Sequence, residues 1–328
     1  MIVKLAGSLL GLALVGLVAF YFWATSGSYP QDRYTEIVDY PNGSTSSGRA
    51  FTAVSYNLGY LSGLTNNQAV QRPQALFDQN LEAAIAALDA LNIDVLALQE
   101  IDVDSRRSYG VNQVEALALA LGFPQSGLAI NWNKRYVPFP YWPPSAHFGK
   151  IISGQAVLSR YPIGDNQRTV LQTVASRPFF YNAVYLDRLA QVTPLTIDGQ
   201  TVVIINIHLE AFDTDTRLAQ TRTVRAMAED YAKTFPVIVL GDFNSALNRP
   251  EEGERSIDIM VESEQFTPVF PQEVWESQPT YPSDTPQYKL DYGFYTPATL
   301  TLNRAEVITA AGQVSDHLPL AMDFTLAP

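Results

Sequence analysis

Apolar and β-branched residues come in short runs along most of this chain, and their spacing changes from run to run. Stretches 51–57, 93–99, 202–208, 237–240, 291–295 and 320–324 are rich in Val, Ile, Leu, Tyr and Phe and predict strands. Several are apolar on both faces, as strands buried inside a layered structure are. Within 73–91, Leu76, Phe77, Leu81, Ala84, Ile85 and Leu88 recur at helical spacing. Residues 111–121 and 216–231 predict two further helices. Strand-helix-strand units thus recur at both ends of 50–328, with no break in composition, which predicts a single α/β domain there.

Two segments depart from this pattern. Leu5–Ala24 runs for about twenty residues without a charge, long enough as a helix to cross a ~30 Å hydrocarbon core. Lys4 marks its cytoplasmic end, and Tyr21, Phe22 and Trp23 gather at the other, where amphipathic rings favour the bilayer interface. Residues 1–24 are therefore expected to be a signal anchor that leaves the rest of the chain outside the cytoplasm, periplasmic or extracellular. Cleavage as a signal peptide after Ala24 or Ser26 is the rival. Residues 25–49, rich in Gly, Ser and Thr, read as a flexible tether. The second departure, 131–150, holds Trp132, Tyr136, Phe139, Tyr141, Trp142 and Phe148 among Pro138, Pro140, Pro143 and Pro144. It predicts a proline-stiffened loop, either packed on the domain, walling a pocket or touching a membrane.

Composition narrows the chemistry. A formal charge of -12 argues against a broad nucleic-acid footprint, although a carboxylate cluster holding a cation contributes to such a total. With no cysteine there is no disulfide, thiolate metal site or cysteine nucleophile. There is no Gly-X-Ser-X-Gly elbow, no His-Glu-X-X-His motif and no Gly-rich phosphate loop, and the histidines are His147, His208 and His317.

Polar residues stand at the ends of the predicted strands, where α/β scaffolds gather function. Asn57 ends the first strand, Glu100 follows the second in Leu-Ala-Leu-Gln-Glu, and His208 ends the third in Ile-Asn-Ile-His. Asp242 and Asn244 follow in Gly-Asp-Phe-Asn, Asp291 opens the next strand in Leu-Asp-Tyr, and Ser315-Asp316-His317 precedes the last. Singly, each has a plain structural alternative: a turn amide for Asn57 or Asn244, an Asx turn for Asp242, a pairing with Arg106 or Arg107 for Glu100, a hydrogen-bonded core histidine for His208. Asp316 could simply orient His317. Together they are hard to explain as accidents.

In that order, Gln99-Glu100, Gly241-Asp242-Phe243-Asn244, Leu290-Asp291-Tyr292 and Ser315-Asp316-His317 resemble the endonuclease/exonuclease/phosphatase superfamily, which includes DNase I, abasic-site nucleases, inositol polyphosphate 5-phosphatases and neutral sphingomyelinases. The resemblance implies a DNase I-like α/β (α+β) fold, a four-layered sandwich of two packed mixed β-sheets flanked by helices. It implies Mg²⁺ or Mn²⁺ held by Glu100 with Asn57 and Asp316, and a water oriented by Asp242 and Asn244. His317, oriented by Asp291, would serve in acid/base transfer or contact the phosphate, and His208 would donate to a non-bridging phosphate oxygen or assist the leaving group. Arg106 and Arg107 are candidate substrate contacts. Gly59 stands where abasic-site nucleases often carry an acidic residue, and His208 where they tend to carry tyrosine, so the resemblance lies nearer the DNase I, sphingomyelinase and phosphatase branches. The expected function is metal-dependent phosphoester hydrolysis by a membrane-anchored monomer, on a lipid or small phosphodiester ahead of nucleic acid. A DNase I-like endonuclease and an inactive tethered binding module are the alternatives.

Overall fold

Alternation of buried aliphatic side chains builds two sheets that pack face to face. The computed structural model describes residues 2–249 and 253–328. The first sheet has the order β1 (Ile37–Asp39), β4 (Gln125–Val137), β5 (Gly149–Ser159), β3 (Val95–Asp102), β2 (Ala50–Asn57), β13 (Leu320–Leu326), β12 (Leu300–Val307). The second runs β10 (Thr267–Pro268), β11 (Asp291–Tyr295), β9 (Val237–Asp242), β8 (Gln200–His208), β7 (Leu189–Ile197), β6 (Gln167–Val170). Each sheet is mixed: β2 and β3 are parallel in the first, β8 and β9 in the second, and their neighbours are antiparallel.

Helices close the sandwich on both sides. Phe77 and Leu88 of α2 (Gln74–Asp89) and Leu117 of α3 (Gln113–Leu121) pack on Tyr56, Leu96 and Leu98 of the first sheet. Val224 and Ala228 of α5 (Thr214–Ala232), with Ile257 and Met260 of α6 (Ile257–Val261), join the core of the second. A short α4 (Phe179–Asn182) lies between β6 and β7. The four-layered sandwich expected from the resemblance is the one observed.

Two segments singled out in the sequence turn out differently in the structure. Residues 131–137 and 149–150 belong to β4 and β5, and only 138–148, where the prolines begin, is irregular. The 25–49 segment, expected as a flexible tether, lies along the domain. Asn133 Oδ1 accepts from the Ser28 and Tyr29 amides at 2.8 and 3.2 Å, β1 pairs with β4, and Tyr29, Tyr34 and Tyr40 pack against the α2/α3 core. Three tyrosines among the small polar residues give this stretch enough burial to dock. Ahead of it, α1 (Ile2–Thr25) is exposed along nearly its whole length and is long and apolar enough to cross a membrane.

Between the sheets lies a buried amide network. Asn206 of β8 donates to the Leu98 carbonyl of β3 at 3.0 Å and to Gln191 Oε1 at 3.1 Å, and accepts from Gln99 Nε2 at 2.6 Å. Gln155 of β5 donates to the Asn206 carbonyl at 3.0 Å. Losing one member leaves buried amides unpaired, which costs ~1–3 kcal/mol for each group left without a partner. Asn206→Leu is therefore expected to lower the unfolding free energy by about 1–3 kcal/mol or more. A urea midpoint unchanged from wild type would contradict this.

Candidate active site

Strand register assembles the site. His208 and Asp242 are paired across β8 and β9, and Asp242 and Asp291 across β9 and β11, so the three side chains leave one face of the second sheet in a row. Asn206, two residues before His208 on the same face, points at the first sheet, so the row faces that sheet too. Gly241 makes the approach of β9 to β8 possible: with φ of +139°, any Cβ there would lie 2.0 Å from the Ile207 carbonyl oxygen.

The first sheet supplies the opposing groups. Asn57 at the end of β2 donates to Asp242 Oδ2 at 2.9 Å, bridging the two sheets. In β3 the pairing with β5 slips between Leu98 and Ile101, and Glu100 sits there with φ of +50°. This bulge turns Glu100 out of the ladder, a strained non-glycine conformation of the kind that collects at functional sites. Ser315 Oγ donates to the Asn57 carbonyl at 2.7 Å and accepts from the His317 amide at 3.1 Å, which fixes the Asp316-His317 turn against β2.

The eight residues singled out at strand ends, Asn57, Glu100, His208, Asp242, Asn244, Asp291, Asp316 and His317, thus come together, and all but Asp291 line one cavity of about 500 Å³. Asp291 stands behind it, its Oδ2 accepting from His317 Nδ1 at 2.8 Å. The arginines behave differently. Arg107 reaches the cavity wall, but its guanidinium is committed to Asp102 at 2.9 and 3.0 Å and stacks 3.4 Å from the Tyr60 ring centre. Arg106 is not among the lining residues; its side chain lies against Gly149.

Two site residues escaped the sequence reading. Asn66 donates to Glu100 Oε2 at 2.8 Å and lies 3.3 Å from Asp316 Oδ1, so it bridges two carboxylates. In sequence it is one of two asparagines in a loop and carries no signal. Arg188 is buried, and its guanidinium donates to His208 Nε2. Only its place just before Leu189, the register partner of His208, could have pointed to it.

Charge in the cavity is unevenly shared. Burial, together with the charge of Asp316, pushes Glu100 up to about 7, and the Asn66 amide only partly offsets this. Burial likewise lifts Asp242 to about 6, eased by His317. Oxygen donors that crowd negative charge with only a neutral amide between them suit a hard divalent cation, so Glu100 and Asp316 fit Mg²⁺ or Mn²⁺. Asp242, Asp291 and His317 also converge, each offering an atom within 4.8 Å of the others, but the Asp291–His317 hydrogen bond already engages two of them.

The two histidines are driven in opposite directions. Burial and the adjacent Arg188 hold His208 well below the ordinary imidazole range. Since an arginine can only donate, His208 Nε2 accepts, and the donor at this wall is Arg188. For His317, burial opposes charging, but Asp291 and Asp242 outweigh it and raise the imidazole to about 10 from 6.5. Between those values the folded chain keeps a proton that the unfolded chain releases, so the pair's contribution is complete below ~6.5 and fades as pH climbs to ~10. In metal-free protein, the stability gap between wild type and His317→Gln should accordingly shrink over that window in urea melts. A gap independent of pH would refute the assignment.

The comparisons agree with this geometry. The family model described as the endonuclease/exonuclease/phosphatase family matches residues 54–317. A search of curated proteins found no match. Among solved structures, an endonuclease/exonuclease/phosphatase from Beutenbergia cavernae superposes with a TM-score of 0.64 at 20% identity, covering 85% of this chain and 72% of that one. The human Nocturnin catalytic domain with bound sulfate gives 0.58 at 18% identity, covering 91% and 100%. A mannosyl-6-phosphatase from Bacteroides thetaiotaomicron gives 0.57 at 15% identity, covering 84% and 99%. At these identities the structural likenesses speak for the fold, and the family match covers most of the chain. The protein belongs to the endonuclease/exonuclease/phosphatase family.

Proposed function

We propose that this protein hydrolyses a phosphoester by direct attack of water, using Mg²⁺ or Mn²⁺ held by Glu100 and Asp316 with Asn57 alongside. The observation that carries this reading is the convergence of Glu100, Asp316, Asp242 and His317 from both sheets on one cavity. Such a cation would neutralise charge on the phosphoryl oxygens. Asp242, fixed by the Asn57 amide and the Asn244 backbone at 2.9 and 2.8 Å, is placed to orient the attacking water and receive its proton. His317, charged at neutral pH and held through Nδ1, presents its other nitrogen to the cavity for the phosphate or the leaving oxygen. Arg188, ion-paired with Glu210 at 3.5 Å, adds a fixed guanidinium donor at the His208 wall.

The rest of the cavity favours an organic group over a polyanion. Its far wall is formed by Trp132, Phe139, Phe148, Val184 and Leu186. Three of the basic residues nearby are engaged elsewhere: Arg107 with Asp102, Lys150 with Asp104, and Arg135 with Ser26. These observations support a lipid or small phosphoester ahead of nucleic acid. In the same reading α1 is a membrane anchor with the domain on the non-cytoplasmic side, supported by its uncharged, exposed length beyond Lys4.

A hydrolysis panel tests the proposal: plasmid DNA, sphingomyelin, phosphatidylinositol phosphates and a generic phosphodiester, each with Mg²⁺ or Mn²⁺. At least one substrate should turn over, with His317→Ala reducing kcat by ~10²–10⁴-fold. Glu100→Gln should raise the metal concentration needed for half-maximal rate. If wild type exceeds His317→Ala on no substrate with either metal, the reading fails.

A further inference from the structure

Outside α1, the large apolar side chains most open to solvent include Phe179 (78% exposed), Trp142 (77%) and Phe212 (73%), with Tyr141 and Phe180 beside them. They come from three separate segments: the 138–148 loop, α4, and the turn after β8. Each segment also contributes to the rim of the cavity, through Tyr141, Tyr181 and Phe212 respectively. Exposed aromatic rings around a cavity mouth mark a contact surface, because soluble proteins seldom leave such groups together in water.

What that surface meets is indicated by α1. Phe20 of the helix lies 5.7 Å, ring centre to ring centre, from Tyr136, which is one residue from the lining residue Val137. Tyr21 lies 6.4 Å from Phe179, which is two residues from the lining residue Tyr181. At 1.5 Å per residue the helix is ~36 Å long, slightly more than a hydrocarbon core, so its last turns reach the headgroup region. Tyr136 and Phe179 therefore stand at headgroup depth, and the rim stands with them. The net charge of -12 provides no attraction to anionic headgroups, so contact here rests on the rings.

We propose that these aromatic segments seat in the same bilayer leaflet from which α1 emerges, so that the cavity opens onto the membrane and takes its substrate from it. The substrate class is a membrane amphiphile whose headgroup carries the phosphoester. The phosphate enters toward Glu100, Asp316 and His317, while the aromatic wall covers the adjoining apolar part. This substrate assignment rests on the hydrolase reading above; the seating in the leaflet rests instead on the reading of α1 as a membrane anchor.

Two measurements on the full chain in phosphatidylcholine nanodiscs separate the claims. In nanodiscs made with brominated acyl chains, part of the tryptophan quenching should come from Trp142 and disappear in Trp142→Phe. Identical quenching in the two proteins would place Trp142 in water and overturn the docking. For activity, Trp142→Asp and Phe180→Asp, neither of which lines the cavity, should each lose roughly tenfold or more on sphingomyelin or phosphatidylinositol phosphate embedded in the disc. Their rate on water-soluble bis(4-nitrophenyl) phosphate should stay at the wild-type value. Equal losses on both substrates, no loss on either, or wild-type cleavage of the soluble diester alone would overturn the interfacial role. Wild type that cleaves neither substrate defeats the hydrolase reading and with it the substrate class, and the quenching result still decides the docking.

Discussion

The amide of Asn206 sits where the two sheets meet and helps to fix the alignment in which their strand ends face one another. Face-to-face sheets held only by aliphatic contacts can slide, since such contacts have no direction. A side chain bonded at once to the Leu98 carbonyl, Gln191 and Gln99 removes that freedom. It lies two residues from His208 along β8, and its partner Gln99 is next to Glu100. Any slip of one sheet on the other would therefore part Asn57 from Asp242 and open the cavity at its polar end.

With the strand ends fixed, the same kind of side chain acquires opposite character on the two walls. His208 faces an arginine and stays neutral, whereas His317 is backed by Asp291 and stays charged. Neither property is intrinsic to imidazole; each comes from which element lies behind the ring. The carboxylates divide in a similar way. Asp291 is used up in holding His317, Asp242 is tied to amides, and Glu100 and Asp316 share a neutral asparagine as their hydrogen-bond partner.

Much of this was legible in the sequence because strand ends are easy to find when the strands are uniformly apolar. β2, β8, β9 and β11 read cleanly, and so did Asn57, His208, Asp242 and Asp291 at their ends. β4 and β5 did not read as strands. Ser126, Asn131, Asn133, Ser153, Gln155 and Ser159 are buried polar residues within them, and in a sequence a buried amide looks like an exposed one. Asn66 and Arg188 were hidden for a related reason: each acts across space on a residue far away in the chain, and neither lies in a patterned segment. The 25–49 stretch misled in the other direction. Its Gly and Ser content suggested slack, and its three tyrosines, together with the amide of Asn133, remove it.

That docked stretch changes how encounter must be counted. Ser28 and Tyr29 are gripped by β4 within a few residues of the end of α1, so the chain has no length with which to swing the domain away from the helix. A domain on a long leash explores a hemisphere of solvent. In the proposed arrangement, with α1 in a bilayer, one pinned at its root explores an area, and for it the governing quantity is the number of target molecules per unit of membrane surface rather than per volume of solution.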